Sequence, residues 1–421
     1  MRILFATISV KSHFYGMVPL AWAFRAAGHE VRVASQPELA ETIAHTGLPA
    51  VAVGGDIEVD DIGEASAAED DEPVNIFDAD PATLGWAQIR EGYDVMTNMG
   101  VRQINEPMLD GLVEFARAWR PDLVIWEPLT YAGAVAARAC GAAHARMLWG
   151  LDIWAPVRER FRELRGRQPA GQRSDAFTDW LTQALRRHGC SFDEEAVTGQ
   201  WTIDPLPAPV RTRSGSRTVP VRYVPFNGPA AVPDWLTAPP ERPRVCLTMG
   251  LSGREYDGYF SGPSTAAIAD VLRTVGALDV ELVATLSADQ VRAVGEIPDG
   301  VRVVDFVPLD ALLPTCSAVI HHGGAGSFST ALVNGVPQLL FTKMFDTRLK
   351  GDRITALGAG AALPSAGFAA ADVGAAVTRM LEDPSFAEGA GRLRDEMLAY
   401  PSPAELVPIL EKLTRDGRCG G

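Results

Sequence analysis

A chain of 421 residues is too long for one small module and suits two cores of about 150 to 200 residues each. With 47% hydrophobic, 22% charged and 8% aromatic residues it has globular composition, which excludes wholesale disorder. A formal net charge of -15 excludes nucleic acid as the main partner but leaves room for a small anionic ligand at a local donor site.

The predicted elements begin with a strand over residues 2–8 and a loop over 9–16. A helix follows, with Met17, Leu20, Ala21 and Phe24 on one face, and Gly28 ends it. Residues 30–35 read as a second strand. Between Asp56 and Asp80 lie eleven acids and no Lys or Arg, which leaves only -4 for the rest of the chain. This segment reads as a solvated loop that could attract a cationic acceptor or partner. Within it, Asp78-Ala79-Asp80 matches a DxD metal pattern but does not follow a strand, so no metal site is expected there. Residues 122–126 and 144–148 are later strands separated by helical patterns, the alternation of a parallel sheet covered on both faces. Arg158, Arg160, Arg162, Arg165, Arg167 and Arg173 read as a solvated helix face or a docking surface for an acidic partner.

From Trp201 to Pro243 the pattern dissolves into prolines, as in a linker. A second alternation follows, with strands over 244–249, 280–285, 301–304, 318–320 and 338–341 and a helix near 264–275. A helical tail over about 404–413 closes the chain. The expected fold class is α/β, two tandem Rossmann-like doubly wound domains. The expected boundaries are 1–215 for the first domain, 216–243 for the linker, 244–400 for the second domain and 401–421 for the tail.

Five cysteines without pairing or CxxC spacing fit a reducing cytoplasm rather than a disulfide framework or zinc site. No run of about 18 apolar residues exists to span a membrane. The expectation is a cytoplasmic protein with neither a membrane nor a nucleic-acid partner.

In doubly wound sheets ligands bind at the carboxyl ends of strands, and two loops there stand out. The first is His321-His322-Gly323-Gly324-Ala325-Gly326-Ser327, placed between a strand and a helix. Its glycines and the open N–H groups of the helix start suit a phosphate, with His322 as a further donor. On pattern alone it is equally a structural turn. Neither GxxxxGK[ST] nor GxGxxG is present, which removes the P-loop and nicotinamide readings. The second loop carries His13, whose imidazole could take a hydroxyl proton near neutral pH or merely be solvated.

Residues 12–31, the His-His-Gly-Gly-Ala-Gly-Ser loop, Gly335-Val336-Pro337-Gln338, residues 119–130 and residues 199–205 together resemble the actinomycete natural-product glycosyltransferases of the GT-B fold. The likeness is to those that attach deoxysugars to macrolide and anthracycline aglycones. It implies a cleft between the two domains, with the polyketide acceptor on the first and a thymidine diphosphate (TDP) deoxysugar donor on the second. By family pattern His13 is the general base and Glu127, where an aspartate is usual, orients it. Phe306 is placed against the pyrimidine, or in the core on pattern alone, and the Val307 backbone reads the base edge. His322, Gly324, Gly326 and Ser327 meet the diphosphate, with Ser252 as an additional contact. Asp346 contacts sugar hydroxyls, with Thr347 replacing the usual Gln and Lys350 the usual Asn, a loss of amide donors that suits a deoxysugar.

The implied reaction is an inverting displacement with no metal and no cofactor. An auxiliary protein related to haem monooxygenases and a homodimer are also implied. Two alternatives share the architecture: a nucleotide-sugar 2-epimerase, and a catalytically silent partner that activates another transferase. The Trp- and Phe-rich region 86–187 favours a bulky apolar acceptor over the epimerase, and the intact His13 and glycine loop disfavour the silent partner.

Overall fold

The computed structural model describes residues 1–55, 76–77, 79–251, 263–343 and 345–417. The chain divides into two compact units. The first holds Met1–Pro205, Thr212–Arg222 and the segment from Pro401, and the second holds Leu206–Arg211 and Tyr223–Tyr400.

The first unit is built on β1 (Arg2–Ala6), β2 (Glu30–Ser35), β3 (Ala50–Ala52), β4 (Leu123–Trp126), β5 (Ala143–Met147), β6 (Trp201–Asp204) and β7 (Thr218–Pro220). They form one sheet in the order β3-β2-β1-β4-β5-β6-β7, every pairing parallel. All residues of β4, β5 and β6 are buried, as expected of central strands covered on both faces. The strand order reverses between β1 and β4, which pair from Ile3↔Leu123 to Ala6↔Trp126. That reversal opens the crevice at the carboxyl ends of these two strands, the usual ligand position in such sheets.

The second unit repeats the plan with β8 (Arg244–Thr248), β9 (Glu281–Thr285), β10 (Val301–Val304), β11 (Ala318–His321), β12 (Gln338–Thr342) and β13 (Gly360–Pro364). Their order is β10-β9-β8-β11-β12-β13, again all parallel, with the reversal between β8 and β11. Alternate residues of β8 enter opposite cores. Val245 and Leu247 join Ile268, Leu272 and Val377 on one side, while Cys246 joins Val283, Val319 and Leu312 on the other.

Three sequence expectations change. The proline-rich stretch read as beginning at Trp201 contains β6 and β7, so residues 218–220 of the expected linker belong to the first sheet. Proline is tolerated there because β7 is an edge strand and Pro220 ends it. The expected loop after β1 is in part a short helix, Lys11–Tyr15. Finally, the arginine run is not a bare solvated face. Arg158 is 3% exposed and donates to Asp175 (2.9 Å), Glu194 (2.8 Å) and Thr178 (2.7 Å), beneath the rings of Tyr93, Phe161 and Phe177. Arg160, Arg162, Arg165, Arg167 and Arg173 likewise have acceptors within the unit. The C-terminal helix, Pro403–Gly417, packs on helix Val18–Ala26 and β5 of the first unit. Among the described residues no helix is long and apolar enough to cross a membrane.

Candidate active site

In the first unit the chemistry gathers where β1 and β4 end. His13 lies on the short helix after β1, and Glu127 follows β4, where its amide N–H donates to Ala6 O (3.2 Å) and continues the ladder. His13 Nδ1 lies 3.2 Å from Glu127 Oε2. A carboxylate on Nδ1 fixes the tautomer with its proton on that nitrogen and leaves Nε2 as the basic one. Glu127 is fully buried, which by itself would raise its pKa. The hydrogen bond and charge of His13, with hydrogen bonds from Thr130 and the Leu129 amide, outweigh burial and hold the carboxyl below its ordinary value. The Thr130 hydroxyl donates to Oε1, and the Leu129 N–H donates to Oε2 at 3.1 Å. A glutamate therefore does serve as the partner of His13 at a position where the resemblance leads one to expect an aspartate.

Sequence reasoning missed Asn105. Fully buried on helix Arg102–Trp119, it donates to Val101 O and Leu129 O and accepts from the Ala132 N–H, each at 2.8 Å. These bonds pin the turn that presents Glu127. No local pattern marks such a residue, because its partners lie 24 and 27 positions away.

In the second unit β11 runs into the glycine loop and helix Ala325–Asn334. Gly324 is the N-cap and has no side chain to cover the first-turn amides, so the N–H groups of Ala325, Gly326 and Ser327 stand at an uncapped positive helix end. His321 is wholly buried: it accepts from the Gly323 N–H at Nδ1 (3.0 Å) and meets Gln338 Oε1 through Nε2 (2.8 Å). It shapes the loop and leaves His322 as the residue presented by it. The His322 Nδ1 is enclosed and has no hydrogen-bond partner among the described residues. Burial and the nearby Lys350 ammonium push the His322 pKa down to about 4, so it is neutral at pH 7. Its ring leaves no room for side chains at two glycines. A Cβ on Gly250 would come within 2.7 Å of His322 Cε1, and one on Gly324 within 2.5 Å of Nε2.

Phe306 follows β10 and is 38% exposed, which removes the reading of a buried core residue. The Val307 side chain, by contrast, is anchored in the core with Leu312, Leu313 and Val319. Asp346, 4% exposed, occupies the N-cap position of helix Thr347–Ala356, and its Oδ2 accepts from Lys350 Nζ at 2.8 Å. Lys350 also donates to Gly323 O at 2.9 Å. One ammonium thus joins the Asp346 carboxylate to the glycine loop, a role its sequence position did not reveal. Thr347 Oγ1 accepts from the Lys343 N–H (3.2 Å), and its methyl lies where a Gly323 Cβ would fall. Its side chain is therefore engaged with the loop.

Ser252, Asp78 and most of the acidic segment lie outside the described residues. Asp80 accepts from the Ala82 N–H at 2.9 Å as a helix cap. Among the described residues no group of three or more His, Cys, Asp or Glu side chains could hold a metal ion.

Two parallel doubly wound sheets in tandem, each with its distinctive residues beside the strand-order reversal, are the framework of a GT-B glycosyltransferase. Solved structures of that class match the chain along nearly its whole length. The structure of glycosyltransferase VinC in complex with DTDP matches with a TM-score of 0.88 and 39% identity, covering 99% of this chain and 100% of that one. Spinosyn forosaminyltransferase SpnP matches at 0.82 and 39%, covering 99% of each. Family models of erythromycin biosynthesis protein CIII-like N-terminal and C-terminal domains match residues 22–250 and 269–413, and the chain belongs to this glycosyltransferase family. Among its relatives is the 10-deoxymethynolide desosaminyltransferase of Streptomyces venezuelae, 48% identical over 99% of this chain and 98% of the relative. Another is the aclacinomycin-T 2-deoxy-L-fucose transferase of Streptomyces galilaeus, 46% identical over 99% and 97%. These names speak for transfer and lend no support to the epimerase.

Proposed function

We propose that this glycosyltransferase moves a deoxysugar from a TDP-sugar to a hydroxyl of a polyketide aglycone, with inversion and without a metal. The observation that carries the reading is the His13–Glu127 contact at the mouth of the first sheet. His13 Nε2 takes the acceptor proton as that oxygen forms a bond to the anomeric carbon. The bond from that carbon to the diphosphate breaks, and thymidine diphosphate leaves. Its charge is met by His322 and the first-turn amides of Gly326 and Ser327, with Gly324 letting the phosphate approach. Phe306, exposed after β10, suits stacking on the thymine, and the Val307 backbone suits its edge. Asp346 meets a sugar hydroxyl, and an internal ammonium on that carboxylate leaves fewer sites for hydroxyls, in keeping with a deoxysugar. Ser252 completes the phosphate contacts in this reading.

A panel of thymidine and uridine diphosphate sugars, incubated with and without macrolide and anthracycline aglycones and read by mass spectrometry, tests the class. A mass gain on an aglycone supports transfer, whereas donor conversion without acceptor would revive the epimerase. His13→Ala is expected to abolish transfer while binding thymidine diphosphate nearly as before, and His322→Ala to weaken binding as well as turnover. Undiminished turnover in the His13 variant would remove the base assignment. The auxiliary protein and the homodimer complete the proposal. Sedimentation, and transfer measured with and without a co-expressed haem-monooxygenase-like protein, test them.

A further inference from the structure

Trp149 follows β5, and two of its contacts converge on the His13–Glu127 pair. Its Nε1–H donates to Glu127 Oε2 at 3.1 Å. Its indole lies against the His13 imidazole, with ring centroids 4.5 Å apart and an interplanar angle of 34°. Oε2 therefore receives the His13 Nδ1, the Leu129 amide and the indole, while Oε1 receives Thr130. A glutamate has one more rotatable bond than an aspartate, so its carboxylate needs more anchors to keep a lone pair on Nδ1.

We propose that Trp149 is a positioning residue for proton transfer at His13, acting through Glu127 and through the face of the imidazole. The indole N–H fixes the carboxylate. The indole ring restricts the imidazole to one orientation and offers its π face to the imidazolium that forms when the acceptor proton is taken. An indole retained only for packing would not have both its N–H and its ring committed to the same pair. The inference rests on His13 being the base.

The test is a double-mutant cycle in the full-length enzyme, using the donor and aglycone that give product in the panel above. Trp149→Phe keeps a ring on the imidazole and removes the N–H. It is expected to lower kcat roughly 10- to 100-fold, the effect of a hydrogen bond to a charged group, with acceptor KM changed less than about threefold. Combined with Glu127→Gln it should add almost nothing to the loss from Glu127→Gln alone, because both changes act on one carboxylate. Multiplying effects, or a change confined to KM, would overturn the role. A second arm needs no substrate. In protein carrying 15N-labelled tryptophan, the indole resonance lost in Trp149→Phe should shift in Glu127→Gln and in His13→Ala, and an unmoved resonance would also overturn it. If His13→Ala abolishes turnover yet the Trp149 and Glu127 effects multiply, this inference alone fails. If His13→Ala turns over normally, the base reading fails with it.

Discussion

The buried Lys350–Asp346 pair permits a quantitative prediction about the second unit. Both side chains are nearly inaccessible, 1% and 5% exposed, and the ammonium also holds Gly323 O. Lys350→Met keeps the length of the stem and removes the charge. It leaves the carboxylate without its ammonium and the loop carbonyl without a donor. Removing one partner of a buried pair costs about 3 to 5 kcal/mol, because a desolvated charge loses its compensation. For a unit of 150 to 250 residues each kcal/mol lowers Tm by about 2 to 4 °C, so a drop of about 6 to 20 °C is expected in calorimetry. The double variant Lys350→Met/Asp346→Leu removes the charge that was stranded and should recover most of the loss. Thymidine diphosphate affinity should remain weakened in both, since Gly323 stays untethered. A single variant that loses under about 1 kcal/mol, or a double variant no better than the single, would refute the reasoning.

Other outcomes follow from the same geometry. Gly250→Ala and Gly324→Ala should each displace the His322 ring and weaken thymidine diphosphate binding at least about tenfold by calorimetric titration, while far-ultraviolet circular dichroism stays native. Gly250 should suffer more, because its φ of 65° also disfavours a side chain. Phe306→Ala should weaken nucleotide binding by about 1 to 3 kcal/mol if the ring stacks on the base, and change stability little because the side chain is half in water. His144 and His321 are held neutral in the fold by burial, each pushed down to about 3 from an ordinary 6.5. The unfolded chain then binds more protons between those values, so stability should fall by roughly 1.4 kcal/mol per pH unit for each histidine as pH drops below about 6.5. Above pH 7 they contribute no slope. Urea midpoints at pH 5, 6 and 7.5 measure this, and a flat profile would count against it.

The alternation of strands and helices was legible because parallel strands buried on both faces write continuous apolar runs, as in 123–126 and 245–247. So was the glycine loop, whose spacing is local. The resemblance supplied Glu127, and the structure supplied the four donors that make a glutamate workable there. The remainder is long-range. Asn105, Trp149 and Lys350 act on groups 22 to 27 residues away, beyond the reach of any pattern within one element. Trp201–Asp204 and Thr218–Pro220 were obscured by flanking prolines, which mark chain reversals as readily at strand ends as in linkers. Arg158 looked like its solvated neighbours because nothing in a helix sequence announces that Asp175 and Glu194 will fold over it.

The C-terminal helix bears on how the enzyme is made. Glu411 meets His29 at 2.9 Å, and Gln200 donates to Gly417 O at 3.3 Å, so the first unit is completed by a helix that follows the second unit in chain order. In chain order the second unit is an insertion in the first one. On the ribosome the inserted unit has its whole sequence available before helix Pro403–Gly417 emerges, so the first unit can be completed only after it. Nascent surface of the first unit stays open until that helix arrives, and a deletion within the helix acts on the half of the molecule that carries His13.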